Sequence, residues 1–105
     1  MTGDRANPER GEAVLTICGV PRLLRPTFSA LVSAEEEIGP LFELVERTGA
    51  GQLRLAEMVA LFWHCLADRD AIAREAVGEA VAHLGLAASA KPLRVLLAQI
   101  LQGSE

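Results

Sequence analysis

The 105-residue sequence has no tyrosine, one tryptophan and three phenylalanines, so aromatic residues make up only 4% of it. Its core must therefore be aliphatic, built from Leu, Val, Ile and Ala, which suits packed helices better than a β-sandwich. Basic residues form no block anywhere, and the formal net charge is −4, so the electrostatic footprint of a nucleic-acid binder is missing. The two cysteines, Cys18 and Cys65, lie far apart and form no CxxC pair. That argues against a disulfide framework and for two small buried hydrophobes in a reducing compartment. No window approaches the ~18 continuous apolar residues of a membrane span. The polar start "MTGDRANPERGE" lacks the apolar stretch of a signal peptide, so a cytoplasmic location is expected.

What the chain does have is aliphatic bulk. Half of its residues are apolar and 23% are charged, a balance that favours a folded domain over disorder. The length suits a single domain with a small core. We expect a tail at 1–10 and a domain over 11–102.

Residues 12–18, "EAVLTIC", are β-branched and partly alternating, with Leu15 and Ile17 on one face and Val14, Thr16 and Cys18 on the other. "GV" at 19–20 supplies a turn and "PRLLR" returns as an edge strand, giving a hairpin over 12–25. Pro26 stops the ladder and Thr27 can cap a helix. Helices are expected at about 27–38, 40–48, 54–67, 70–84 and 90–102. The fold class is mainly α with an N-terminal β-hairpin, an α+β bundle of four to five short helices.

The first helix carries Phe28, Leu31, Val32 and Ile38 as its expected buried stripe, and Glu35 to Glu37 as a solvated face. Gly39 closes it. The second places Leu41, Phe42, Leu44 and Val45 inward, and "TGAG" at 48–51 follows as a loop. The third shows Leu55, Met58, Val59, Phe62, Trp63 and Leu66 at helical spacing. "DRD" at 68–70 breaks it, and either aspartate can cap the fourth helix, whose apolar face holds Ala73, Ala76, Val77, Ala80, Val81 and Leu84. The fifth carries Leu93, Leu96, Leu97, Ile100 and Leu101, with Pro92 fitting only in its first turn.

Chemistry is hard to assemble from these residues. His64 and Asp68 are four apart and could meet, but such pairs are usually surface hydrogen bonds. His64, Cys65 and His83 lack zinc-ligand spacing. "GAGQL" is no phosphate loop, and GxSxG is absent. No catalytic, cofactor or metal residues are assigned. An enzyme using His64, Asp68 or Cys65 would instead show a polar cleft around them.

Some apolar residues fall outside the stripes. Leu61 lies about 130° from the centre of the third helix's buried face, at 100° per residue, with Cys65 one turn further on the same flank. Val95 faces away from the fifth helix's stripe. One of Leu23 and Leu24 must point away from the helices. These five residues are the candidates for a partner surface, and both hairpin edges would be open to strand addition.

The stretch "RGEAVLTICGVPRLLRPTFSAL" resembles the start of the gene transfer agent tail assembly chaperone family, related to phage tail chaperones. The shared features are Arg10-Gly11-Glu12, the Gly19 turn, Leu24-Arg25-Pro26-Thr27 and the acidic Glu35 to Glu37. "GAGQLRLAEMVALFWHCL" and "VGEAVAHLGL" resemble the family's Gly-led central helix and penultimate helix, so the likeness spans about residues 9–101. The turn "ICGVPR" departs from the polar turn of many members. The resemblance implies a non-enzymatic chaperone that coats the tape-measure protein, recruits tail tube subunits, forms oligomers or coats, and uses no cofactor, nucleic acid or membrane. The alternative is a generic small helical adaptor or dimerisation module.

Overall fold

The alternation after Glu12 becomes a two-stranded antiparallel sheet, β1 (Ala13–Ile17) and β2 (Val20–Leu24), in the computed structural model of the protein, which describes residues 12–102. The tail expected at 1–10 lies outside these residues. Ala13, Leu15 and Ile17 point inward and are buried; Val14 and Thr16 point out. The register pairs Ile17 with Val20 and Ala13 with Leu24. The turn is therefore Cys18–Gly19 rather than Gly19–Val20, with φ of 54° and 78°. Two left-handed residues in a two-residue loop match the twist of the strands they join.

Five helices follow: α1 (Phe28–Ile38), α2 (Leu41–Gly49), α3 (Leu55–Cys65), α4 (Arg74–Leu84) and α5 (Leu86–Gln102), with a 3-10 turn at Arg69–Ala71 before α4. Thr27 caps α1 as its sequence suggests, its Oγ1 accepting the Ala30 N–H at 3.1 Å. Gly39 ends α1 at φ 92°, its N–H donating to the Glu35 carbonyl at 2.9 Å. Arg47 holds the start of α3 from the end of α2, with its two terminal nitrogens 2.8 and 2.7 Å from the Glu57 carboxylate oxygens.

The interior differs from the expected stripes on each of the first four helices. On α1 the buried residues are Ala30 and Ala34, while Phe28 is 85% exposed and Val32 also faces out. Alanine lets α1 lie close against α3, its main neighbour; larger side chains would hold the two helices apart. On α2, Leu41 and Leu44 are buried but Phe42 is exposed. The third helix has no wet side beyond its first turn, since Met58 to Phe62, His64 and Cys65 are all buried; Leu55 and Ala56 are exposed, and Glu57 and Trp63 are half-buried. Finally, α4 starts at Arg74 with Ala73 at its cap, so neither Asp68 nor Asp70 caps it. Ala73 and Leu84 are exposed and Ala76 is half-buried.

The fifth helix begins at Leu86, directly after Gly85, which closes α4 at φ 95°. Pro92 is therefore inside α5 rather than in its first turn. It has no N–H to offer the Ala88 carbonyl, the cost an interior proline carries. Leu93, Leu96 and Leu97 are buried, Ile100 half-buried and Leu101 exposed.

Neither do both hairpin edges stand open. The Arg25 N–H donates to the Cys65 carbonyl at 2.6 Å, the Ala67 N–H to the Leu23 carbonyl at 3.0 Å, and Leu24 bridges to Leu66. The chain leaving α3 thus covers the outer edge of β2. No single helix among the described residues is long and apolar enough to cross a membrane.

Candidate interaction surfaces

The sequence-predicted partner residues divide by burial. Leu61 and Cys65 are 0% and 1% exposed, sealed inside the monomer because α3 is wrapped by its neighbours. Their expected outward placement is corrected: neither offers a surface. Leu24 is likewise fully buried, whereas Leu23 is half-buried on the outer face of the hairpin. Val95 is half-buried and packs against the core. The structure brings these five residues to no common patch of surface.

The exposed apolar groups lie elsewhere. Phe28 and Val32, four residues apart, form a ridge on the side of α1 opposite Ala30 and Ala34. Phe42 projects from α2 at 64% exposure. Burying one such ring is worth about 1.5–3 kcal/mol. Hydrophobicity alone could not have found this ridge, because Phe28 and Val32 read as core. The available signal was the small Ala30 and Ala34 on the opposite side, at the spacing of a close helix contact.

The polar residues form a tie between helices. His64 does not meet Asp68; its Nε2 lies 2.9 Å from Oε1 of Glu37 on α1, and Asp68 pairs with Arg22 on β2 at 2.7 Å. Arg74, at the start of α4, pairs with the other oxygen of Glu37, and its guanidinium lies 4.7 Å from the centre of the Trp63 ring. Trp63 donates from Nε1 to the Ile72 carbonyl at 2.9 Å. Arg74, and after it His64, hold the Glu37 carboxyl below its usual range. The group joins α1, α3 and α4.

A cavity of about 260 Å³ opens beside His64 and Cys65, with Arg25, Arg69 and Asp70 also in its wall. Burial pushes the Cys65 thiol up to about 12, so it stays protonated and is a poor nucleophile. Asp68 is not in this wall. Among the described residues, no group of three or more His, Cys, Asp or Glu is placed to hold a metal ion.

The last feature is a groove of about 510 Å³ between the β1 end of the hairpin and α4. Thr16, Cys18 and Gly19 form one wall, Ala76 and Ala80 line the helix side, and Glu79 and His83 stand beside them. The sequence marks this place by what β1 omits: "AVLTI" has no charge, proline or glycine.

No curated protein and no solved structure matches the chain. Residues 10–103 match the family described as phage tail tube protein, GTA-gp10, nearly the span over which the sequence resembles the gene transfer agent tail assembly chaperone family; the match supports a tail family of gene transfer agents and phages but not a chaperone specifically. The chain therefore belongs to this family of gene transfer agent and phage tail proteins.

Proposed function

We propose that the protein is a non-enzymatic assembly chaperone of a phage-like tail, which covers the tape-measure protein and helps bring tube subunits to it. The observation that carries this reading is the Phe28–Val32 ridge, left outside on a domain whose core is already closed. A long helical tape-measure protein exposes apolar surface that aggregates unless covered. A short apolar ridge on each of many copies can cover it by weak repeated contacts, which hold through multivalency and still release. Glu35 and Glu36, exposed beside the ridge, favour a partner helix with basic flanks.

The description of the family, phage tail tube protein, favours a second reading, in which the chain is a component of the tube itself. The two readings separate on mature particles. A chaperone is present in the assembling cell and depleted from purified tails; a tube component is a stoichiometric part of them. Co-expression with the tape-measure protein of the same tail cluster should keep that protein soluble, and Phe28→Ser should remove the effect. Unchanged solubility, with the chain abundant in finished tails by mass spectrometry, would replace the chaperone reading with the tube reading.

A further inference from the structure

We propose that two copies of the chain pair through β1, joining their hairpins into one four-stranded sheet in the order β2-β1-β1-β2, about a two-fold axis at Leu15.

The first support is the direction of the backbone groups. In a two-residue hairpin the closing pair, Ile17 with Val20, is hydrogen-bonded, and bonded pairs then alternate along the ladder. Residues 13, 15 and 17 therefore face β2, and the N–H and C=O groups of Val14 and Thr16 face away. The phase is confirmed on the other strand, where the Leu23 carbonyl points outward to accept from Ala67. Among the described residues nothing pairs with the outer edge of β1.

The second support is how unequally the two edges are protected. Proteins blunt exposed edges with proline, charge or a covering segment. All three devices fall on β2, as Pro21, Arg22 and the covering stretch Cys65–Ala67. The open strand has none of them. Because β1 is uncharged, self-pairing of this strand meets no like-charge repulsion even in a chain of net charge −4.

The third support names the occupant. A two-fold axis at Leu15 pairs Val14 of each copy with Thr16 of the other and makes four new hydrogen bonds. It sets Ala13 opposite Ile17, so the inner faces continue into one another. The α4 helix packs under β1, so the same axis runs the two α4 helices antiparallel beneath the joined strands. Ala76 and Ala80 permit close approach there. An isologous contact of this kind closes on itself as a dimer.

The proposal is tested on the full chain by sedimentation equilibrium from micromolar to millimolar protein, with a dimer expected. Thr16→Pro removes an N–H that the β1–β2 ladder does not use, so the fold should persist by circular dichroism. Each dimer loses two of its four new bonds, and association should weaken at least tenfold, on the order of the fold-change two such bonds carry. Thr16→Val keeps the N–H and should dimerise like the parent. A spin label on exposed Cys18, with Cys65 buried, reads the register. Cys18 pairs with Glu12 of the second copy, so the two Cys18 backbones lie six residues apart, about 20 Å at the rise of a strand. A monomer throughout the range, a dimer with a label separation far from this, or undiminished association of folded Thr16→Pro would each overturn the proposal. Should Thr16→Pro fail to fold, the label separation in the parent protein decides alone.

Discussion

Arg47 grips Glu57 with two nitrogens, 2.8 and 2.7 Å from the two carboxylate oxygens, and the same carboxylate accepts the Arg54 N–H at 3.0 Å. One side chain thus fastens the end of α2, the connecting loop and the first turn of α3. Arg47 depresses the Glu57 carboxyl to about 2. A carboxylate whose folded pKa is lowered contributes stability above its unfolded value of 4.5, and loses that contribution as pH falls toward the folded value. The melting temperature should therefore drop between about pH 4.5 and pH 2. Glu57→Gln should melt lower than the parent at pH 7 and show a flatter decline in acid. Thermal melts followed by circular dichroism across this range test both; parallel curves for the two proteins would mean that the grip contributes nothing.

Adjacent leucines on β2 should behave oppositely. Leu24 is fully buried and bridges to Leu66, whereas Leu23 is half-buried on the outer face. Leu24→Ala should cost about 2–5 kcal/mol, the range for a core leucine. Leu23→Ala should cost about 1 kcal/mol or less, in proportion to its smaller burial. Urea titrations of the two variants read the difference directly.

The two phenylalanines Phe28 and Phe62 give a contrast of stability against function. Phe62 is completely buried, and Phe62→Ala should cost about 3–5 kcal/mol, a large share of the stability of a small domain. Phe28→Ser should shift stability by no more than about 0.5 kcal/mol, yet reduce capture of the tape-measure protein in a pull-down. A large loss of stability in Phe28→Ser would show that the ring supports the fold rather than a partner.

Thiol chemistry should distinguish the two cysteines. Cys18 is exposed at the hairpin turn, while Cys65 is buried with its thiol pushed up to about 12. Iodoacetamide at mildly alkaline pH should modify one cysteine per folded chain, identified as Cys18 by peptide mapping, and both in urea.

Overpacking tests the closeness of α1 and α3. Ala34 is fully buried, and Ala34→Leu should cost about 1–3 kcal/mol despite adding apolar bulk. Ala34→Gly should cost less, on the order of 1 kcal/mol. A stabilised leucine variant would mean that the helices enclose unfilled space.

The hairpin and the helix ends were legible because local chemistry decides them. Alternation separated Leu15 and Ile17 from Val14 and Thr16, Thr27 announced its cap, and Gly39 and Gly85 stopped their helices. Facing was less legible. Periodicity marks which residues share a side but not which side is covered, so Phe28 and Val32 looked like core and Ala30 and Ala34 like filler. Leu61 and Cys65 looked surplus because an amphipathic pattern assumes one dry face, and α3 is enclosed on several. The start of α5 was hidden by Pro92, which normally marks a first turn. Membership of a tail protein family was legible from residues 9–101, because motif and element order agree there.

The backbone bonds from Arg25 and Leu23 to the chain at Cys65–Ala67 have a consequence for the order of events at synthesis. The ribbon is made before the helices that follow it, and the stretch that fastens its second strand comes some forty residues after that strand. A nascent chain shorter than this holds an unsecured ribbon with apolar side chains and free amides, the species most prone to sticking to its neighbours. Closing so long a loop also slows that step relative to helix formation. A ribbon made before the helices is thus locked only after the third of them has been made.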